Sequence, residues 1–305
     1  MVYIFGPVPS RRLGLSLGVD LIPSKTCSYD CLYCQIGKTT CKTLETEKYV
    51  PIDQVKFQLE QTIEKTRPDT VTIAGSGEPT LNSQLGEIIA FIKSLTEIRV
   101  AILTNGSLLW KEEVRNRVLD ADIITPTLST GFDETFQAIH RPHPDLDLSI
   151  IIEGLKTLRK CYKGNFLLEV ILLAGYNDNE KELEKLKEVI DEISPDKIQL
   201  NTVVRPPSDS RAASLNEQQL ESIKNYFGEN AEIIADSSSE QKGAEYESLS
   251  STVLEMAKRR PVSGFDIERI LDIGVEEVEG ILKGLLMKGK IKKRKHQGED
   301  YYIVE

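Results

Sequence analysis

The stretch Cys27-Ser28-Tyr29-Asp30-Cys31-Leu32-Tyr33-Cys34 places three cysteines close together in a CxxxCxxC spacing. Three thiolates at this spacing hold three irons of a cubane iron–sulfur cluster and leave the fourth iron without a protein ligand. Clusters that only transfer electrons are ordinarily held by four cysteines. An iron without a protein ligand is a binding site for a substrate or a cofactor. The stretch therefore predicts a cluster that takes part in chemistry.

Zinc and disulfides are the alternatives for these cysteines. A structural zinc knuckle would need a fourth ligand, and only Cys41 lies nearby, since no histidine precedes His140. Cys41 is expected to be a plain thiol, with a redox or ligand role as the alternative, and Cys161 is expected to pack in the core. Five cysteines in 305 residues are sparse and odd in number, and no secretory signal is recognised. We therefore expect a reduced, cytoplasmic protein.

Length and charge predict the domain organisation. The chain of 305 residues is long enough for one large domain and one small one. We expect a core at 1–236, a polar linker at 237–247 and a small domain at 248–305. The net charge of −10 argues against a general nucleic-acid coat, but the acidity lies in the first part, so the tail is judged separately. No apolar run reaches the ~18 residues of a membrane helix, and no membrane partner is expected.

The core alternates short apolar runs with amphipathic stretches. This alternation predicts an α/β fold with a parallel sheet that is buried on both faces. Periodicity alone leaves an open doubly wound sheet and an incomplete β/α barrel as alternatives. In either architecture ligands gather at the carboxyl ends of the strands. The predicted strands are 17–22, 70–74, 99–103, 122–128, 166–173 and 197–203, and the predicted helices are 52–65, 83–95, 111–119, 148–161, 179–193 and 216–227.

Unusual residues follow these predicted strands. The three cysteines come after the first strand, and Gly75-Ser76-Gly77-Glu78-Pro79-Thr80 comes after the second. A glycine-rich loop alone is as compatible with a tight turn as with a binding site. The later strands lead into Thr104-Asn105-Gly106, Ser129-Thr130-Gly131 and Arg205-Pro206-Pro207. Polar loops after successive strands favour a common binding site at one edge of the sheet.

The cysteine motif and these loops together resemble the radical SAM superfamily. The resemblance implies a partial (β/α)6 barrel, a [4Fe–4S] cluster and S-adenosylmethionine (SAM), with Cys27, Cys31 and Cys34 as the cluster ligands. Residues 75–79 resemble the family's GGEP segment, with Ser76 at its second position. By this resemblance Gly75, Ser76, Gly77 and Glu78 bind the methionine ammonium group, and Tyr33 lies near the cluster and the adenine. The remaining cofactor candidates are Thr104, Asn105 and Ser129 for the ribose or the carboxylate. Arg205 is a candidate for the carboxylate of SAM or for an anionic substrate.

The resemblance also implies a reaction. An electron from a flavodoxin-type or ferredoxin-type donor passes through the cluster to the sulfonium of SAM. A C–S bond breaks, and the products are methionine and a 5′-deoxyadenosyl radical that takes a hydrogen atom from the substrate. The cofactors supply this chemistry, while the protein orients them and excludes water.

Further segments resemble one branch of that superfamily. The branch contains uncharacterised proteins grouped with the enzymes that make the tricyclic base wyosine in tRNA. Those enzymes carry a second set of cluster cysteines upstream, and Cys41 and Cys161 are too few to replace that set. The segments that carry this resemblance are 6–14, Asp30, 35–37, 141–143 and 201–207.

Basic residues near the motifs have two interpretations. Arg11, Arg12, Arg141 and Arg205 are either structural or bind anions, because the planar guanidinium suits carboxylate and phosphate groups. His140 and His143 flank Arg141 in a proline-punctuated segment and are expected to be hydrogen-bonding loop residues.

The tail resembles a winged-helix domain. Three short amphipathic helices are predicted at 248–258, 264–270 and 275–287, followed by a hairpin at 290–304. The basic stretch 288–295 favours nucleic acid, whereas Glu276, Glu277 and Glu279 at the start of the third helix oppose phosphate. We expect RNA such as tRNA, or protein, as the substrate. The alternatives are maturation of a metallocofactor or small metabolite with a structural tail, and a cluster carrier without enzymatic activity.

Overall fold

A computed structural model describes residues 2–10, 12–235, 249–271 and 273–304. The predicted linker at 237–247 lies outside the described residues. We refer to 2–10 and 12–235 as the core and to 249–271 and 273–304 as the C-terminal unit.

The core has a mixed sheet of eight strands in the order β1-β2-β5-β6-β7-β8-β9-β10. All neighbouring strands from β2 to β10 are parallel, and β1 pairs antiparallel with β2 at one edge. Among the described residues β1 and β10 are the two outer strands and do not pair with each other. The strands are β1 (Ile4–Ser10), β2 (Gly14–Val19), β3 (Thr26–Cys27), β4 (Cys41–Lys42), β5 (Thr70–Ile73), β6 (Arg99–Thr104), β7 (Ile123–Pro126), β8 (Asn165–Leu172), β9 (Lys197–Thr202), β10 (Ala231–Ile233), β11 (Val262–Ser263), β12 (Lys292–His296) and β13 (Glu299–Ile303).

Helices connect the parallel strands and cover the sheet. Several begin at a side chain that caps the first turn: Asp147 accepts a hydrogen bond from the Ile150 amide, and Asn216 forms a capping box with Gln219. The helices are α1 (Ile52–Thr66), α2 (Leu85–Leu95), α3 (Glu112–Val118), α4 (Asp133–His140), α5 (Leu148–Cys161), α6 (Glu180–Ile193), α7 (Glu217–Phe227), α8 (Leu249–Arg259), α9 (Gly264–Leu271) and α10 (Val275–Met287).

The six predicted strands and six predicted helices of the core are present, and the α/β fold with a parallel sheet is confirmed. Strand β2 begins earlier than predicted because Gly14 pairs with Ser10 of β1. Strands β1 and β10 and helix α4 were not predicted. Cys161, expected in the core, is exposed at the end of α5, and Cys41 is exposed in β4.

The C-terminal unit contains helices α8, α9 and α10 and a three-stranded sheet in the order β11-β13-β12. Its apolar side chains form a core of their own around Val253, Ile267, Val278 and Leu282. The predicted helices and hairpin are present. None of the helices in the described part of the chain is long and apolar enough to span a bilayer.

The C-terminal unit contacts both sides of the open sheet. At the β1 side the Arg259 guanidinium lies 4.7 Å from the centroid of the Phe5 ring. At the β9 side Tyr301 Oη donates a hydrogen bond of 3.1 Å to the Val204 carbonyl, and Arg205 pairs with Asp266. The unit therefore connects β1 with the segment that follows β9.

Candidate active site

The three cysteines lie between β2 and β4, in a segment that starts at the end of β3 and that we call the cysteine loop (27–34). Backbone hydrogen bonds from Asp30 N and Leu32 N to the carbonyls of His140 and Ile139 tie this loop to the end of α4. The Ser208 hydroxyl donates to the Cys31 carbonyl at 2.8 Å. The loop is therefore fixed from two sides by parts of the chain that are distant in sequence.

Arg141 clamps the same loop. Its Nε donates to the Asp30 carbonyl at 2.6 Å, and its Nη1 lies 3.4 Å from the Asp209 carboxylate. Arg141 adopts a positive φ of 43° where α4 ends. These contacts give Arg141 the structural role that was one of its two expected interpretations.

Two hydrogen-bonding groups approach the cysteine sulfurs. Asn105 Nδ2 donates to Cys27 Sγ at 3.5 Å, and His140 Nδ1 lies 3.5 Å from Cys31 Sγ. Burial raises the pKa of Cys27 to about 12, and the neighbouring Glu78 adds to this rise. A thiolate at Cys27 therefore needs a nearby cation to stabilise its charge.

The expectation that His140 is a loop residue is wrong. His140 ends α4 and is 2% exposed, with its ring packed among Tyr29, Tyr33 and Phe136. Its Nδ1 lies 3.2 Å from Tyr33 Oη, and burial lowers its pKa to about 3. The spacing of Phe136, Ile139 and His140, three and four residues apart, was the sequence signal for a buried helix face.

Residues 75–79, which we call the GSGEP loop, follow β5 and pack against the cysteine loop. A Cβ at Gly77 would overlap the Thr26 carbonyl oxygen, and a Cβ at Gly75 would overlap the Asp20 carboxylate. Gly75 also has a φ of +152°. Both positions therefore require glycine. Ser76 is tolerated between them because its hydroxyl donates to Asp20 Oδ2 at 2.5 Å.

Glu78 joins the GSGEP loop to the loop after β6. The carboxylate is 2% exposed and accepts hydrogen bonds from the Thr80 amide, the Thr80 hydroxyl, the Thr104 hydroxyl at 2.6 Å and the Asn105 amide at 2.7 Å. Burial raises the pKa of Glu78, although these four hydrogen bonds act in the opposite direction. Glu78 thus fixes Thr104 and Asn105 beside the cysteines.

Ser129 and Arg205 were expected to contact the cofactor, and both have protein partners. The fully buried Ser129 hydroxyl accepts a hydrogen bond from the Ile171 amide at 3.0 Å. Arg205 Nη2 donates to Asp266 Oδ1 at 3.0 Å, and Nε donates to the Pro261 carbonyl. Ser129 stays within the core, whereas Arg205 contacts the C-terminal unit.

Arg12 forms a polar network with side chains of β8 and β9. Its Nη2 lies 2.7 Å from Glu169 Oε1, and its Nη1 donates to Gln199 Oε1 at 3.1 Å. Asn201 Nδ2 also donates to Glu169. The structure therefore gives Arg12 protein partners on β8 and β9.

The thiols, the GSGEP loop and Asn105 meet at the carboxyl ends of the parallel strands, where the sequence placed them. Across the described residues no three Cys, His, Asp or Glu side chains are arranged to hold a single metal ion. Cluster cysteines bind different irons and need not converge on one point. The donor set of three half-buried thiols with two nearby hydrogen-bonding groups fits an iron–sulfur cluster.

Comparison with known proteins identifies the class. The model of the Radical SAM superfamily matches residues 21–190, and the chain belongs to that superfamily. The structure of Streptococcus suis SuiB bound to S-adenosylmethionine is similar with a TM-score of 0.54 and 16% identity, over 72% of this chain and 50% of that one. This protein is therefore a member of the radical SAM enzymes, a class whose cofactors are a [4Fe–4S] cluster and SAM.

Within that superfamily the chain belongs to the UPF0026 proteins. It is 33% identical to UPF0026 protein MJ1312 of Methanocaldococcus jannaschii, over 99% of this chain and 96% of that protein. It is also 37% identical to a protein of Brachyspira hyodysenteriae named GTPase Obg, over 99% of this chain. The match covers only 45% of the Brachyspira protein.

Proposed function

We propose that Cys27, Cys31 and Cys34 hold the cluster and that SAM binds between the cysteine loop and the GSGEP loop. The observation that carries this proposal is the set of hydrogen bonds accepted by Glu78. These bonds hold the GSGEP loop, Thr104 and Asn105 on the same side as the thiols. When bound, the cluster and SAM would supply a one-electron reductive cleavage of a C–S bond of SAM, with the electron coming from an external donor, and the removal of a hydrogen atom from the substrate. The chain orients both groups and keeps water away from them.

The chain's residues have separate proposed roles in this site. Residues 75–78 receive the ammonium end of SAM, because Glu78 Oε2 has one donor among the described contacts and retains acceptor capacity. Thr104 and Asn105 receive the ribose or the carboxylate. Tyr33 lies beside the adenine. Ser129 contacts the cofactor only after exchanging its present partner, Ile171. Arg205 would have to leave Asp266 to reach SAM, so we assign it instead to an anionic substrate.

Cysteine substitution tests this assignment. Wild type, reconstituted without oxygen and reduced with dithionite, is expected to form 5′-deoxyadenosine from SAM. Cys27→Ala is expected to form none, while Cys161→Ala, an exposed cysteine outside the motif, keeps the activity. A Cys27→Ala protein that still forms 5′-deoxyadenosine contradicts the assignment. A wild type that carries a cluster but never cleaves SAM favours the alternative of a carrier without enzymatic activity.

We further propose a partial (β/α)6 barrel at 1–236 and a winged-helix domain at 248–305, joined by 237–247. The order α8, β11, α9, α10, β12, β13 supports the winged-helix assignment. Radical SAM enzymes need an electron donor, which we propose is of the flavodoxin or ferredoxin type. Such a donor and reduced thiols suit a cytoplasmic enzyme.

A cavity-bound small substrate is the substrate class that the geometry favours. The C-terminal unit extends from β1, through Phe5 and Arg259, to the segment that follows β9, through Arg205 and Asp266. This arrangement supports the hypothesis in which the tail braces the core and the substrate is a metabolite or a precursor of a metallocofactor.

RNA, with tRNA as the leading case, or protein is the second candidate substrate. Four consecutive basic side chains of β12, at 292–295, are exposed and support an RNA interface. A gel shift with total tRNA tests it: neutralising all four should abolish the shift if RNA binds there. If wild type never shifts tRNA, or if wild type and the neutralised variant shift it equally, RNA binding by β12 is excluded. The matched control neutralises four exposed basic residues of the core, Lys65, Arg99, Lys160 and Lys163.

A further inference from the structure

A cavity of about 510 Å³ lies between the inner face of the sheet and the C-terminal unit. Ser16 of β2, Thr72 of β5 and Leu103 of β6 contribute to its core wall. The hydroxyls of Ser16 and Thr72 share a hydrogen bond of 2.6 Å on this wall. The volume is suited to a molecule of metabolite size.

The cavity is lined by one residue next to each motif loop in sequence. Gln35, which follows Cys34 in sequence, lines it, and so does Ala74, which precedes Gly75. A molecule in the cavity therefore lies next to the region where the cysteine loop and the GSGEP loop meet. This position suits a substrate that must present a C–H bond to the cofactor site.

The opposite wall of the cavity belongs mainly to the C-terminal unit and contains several arginines. Three arginines, Arg205, Arg260 and Arg269, line this side together with two carboxylates, Asp266 and Glu299. The whole chain, in contrast, has a net charge of −10. Guanidinium groups gathered on one wall suit an anionic ligand.

The geometry of Arg205 supports a binding role on this wall. The side chain is 14% exposed, and its described contacts use Nε for Pro261 and Nη2 for Asp266. Although burial of Asp266 opposes it, the guanidinium groups of Arg205 and Arg260 lower the pKa of this carboxyl. A guanidinium held in this way is pre-organised, and its planar fork matches a carboxylate or a phosphate.

We propose that this cavity is the substrate site and that it takes a small organic anion, whose carboxylate or phosphate binds the arginines of the C-terminal wall. The proposal rests on the proposed radical SAM function. The anionic group lies against Arg205, Arg260 and Arg269, and the rest of the molecule extends along Thr72 and Ala74 toward the motif loops. The C-terminal unit thus supplies part of the active site.

Small-molecule probes test the charge preference. Acetate, inorganic phosphate and the neutral isostere acetamide are titrated into the full-length holoenzyme at constant ionic strength. Saturation-transfer NMR follows the methyl groups, and ³¹P line width follows phosphate. We expect acetate or phosphate to bind and acetamide not to bind. Binding of acetate alone assigns a carboxylate substrate, and binding of phosphate alone assigns a phosphorylated one. Equal binding of acetate and acetamide, or no anion binding, overturns the proposal.

Variants locate the binding to the cavity. Arg260→Gln and Arg269→Gln should each weaken anion binding about tenfold, as expected for loss of one charge-assisted contact. Glu299→Gln should strengthen it about threefold, a gain that misfolding does not produce. The control Arg99→Gln, an exposed arginine on β6, should change nothing. Unchanged affinity in all three cavity variants overturns the assignment to this cavity.

A parallel titration with SAM separates this proposal from the one on which it rests. The electron paramagnetic resonance spectrum of the reduced holoenzyme is recorded before and after SAM is added. A holoenzyme that responds to SAM and binds no anion overturns the cavity proposal alone. A holoenzyme that binds acetate or phosphate but never responds to SAM overturns the proposed function.

Discussion

Replacing Glu78 with glutamine tests whether this carboxylate holds the site together. The carboxylate accepts four hydrogen bonds, three at Oε1 and one at Oε2. If the glutamine oxygen faces Thr80 and Thr104, its amide nitrogen faces the Asn105 N–H, and two donors oppose each other. Loss of one charge-assisted hydrogen bond costs about 1.5–3 kcal/mol, and a buried unsatisfied donor costs about 1–3 kcal/mol.

We therefore expect Glu78→Gln to lower the free energy of unfolding by about 3–5 kcal/mol, a large share of the total stability of a typical domain. Urea denaturation of the full-length protein measures this change. Hydrogen exchange of the Asn105 amide, which loses its acceptor, should accelerate as well.

The matched control for this experiment is Glu60→Gln, an exposed glutamate on α1. It should change the free energy of unfolding by less than about 0.5 kcal/mol. If Glu78→Gln costs no more than the control, and the Asn105 amide exchanges at its original rate, the argument that Glu78 joins the two loops is refuted.

Three further changes test other parts of the structure. Burial raises the pKa of Asp20 above 3.8, so this group stabilises the fold at low pH, and that stabilisation is lost as the pH rises through the native pKa. Between pH 3 and pH 7 the free energy of unfolding, measured in urea, should therefore fall less for Asp20→Asn than for wild type. An equal fall in both proteins would contradict this. Gly77→Ala should displace the GSGEP loop, lower stability by about 1–3 kcal/mol and abolish SAM binding in calorimetry, because its methyl group overlaps the Thr26 carbonyl; tight SAM binding would contradict the close packing. Asp266→Asn removes the partner of Arg205 and should cost about 2 kcal/mol, with faster hydrogen exchange across 249–271; unchanged exchange would contradict the docking role of the pair.

Much of the core was predictable because its signals are local. Each parallel strand is a short apolar run buried on both faces, and each following helix has an apolar face at helical spacing. The ends of helices were marked by residues such as Asn179 and Asn216, which cap α6 and α7. Because the carboxyl ends of parallel strands lie at the same edge of the sheet, the cysteine loop and the GSGEP loop were expected to lie close together.

The elements that were missed depend on distant contacts. Strand β1 contains two prolines and a register shift between Phe5 and Val8, so it lacks the alternation that marks a strand. Strand β10 has only three residues and is defined by its pairing with β9. Cys161 was expected in the core but is exposed. A cysteine at the end of an amphipathic helix faces the core or the surface according to tertiary packing, which the sequence alone does not report.

The site was predictable in its motifs and less so in its individual side chains. The placement of Glu78 between two loops depends on Thr104 and Asn105, which lie far along the chain. Arg205 is directed to Asp266 of the C-terminal unit, a contact across more than sixty residues. His140 approaches Cys31 only because α4 returns to the cysteine loop. Sequence spacing reports none of these distances.

The central claim is that Cys27, Cys31 and Cys34 leave one iron of the cluster open to SAM. Its most direct test is the electron paramagnetic resonance spectrum of the reduced, anaerobically reconstituted protein, recorded with and without SAM. We predict a [4Fe–4S] signal that changes when SAM is added and that is absent from Cys27→Ala. A protein that binds only zinc, or a cluster signal that SAM leaves unchanged, would contradict the account.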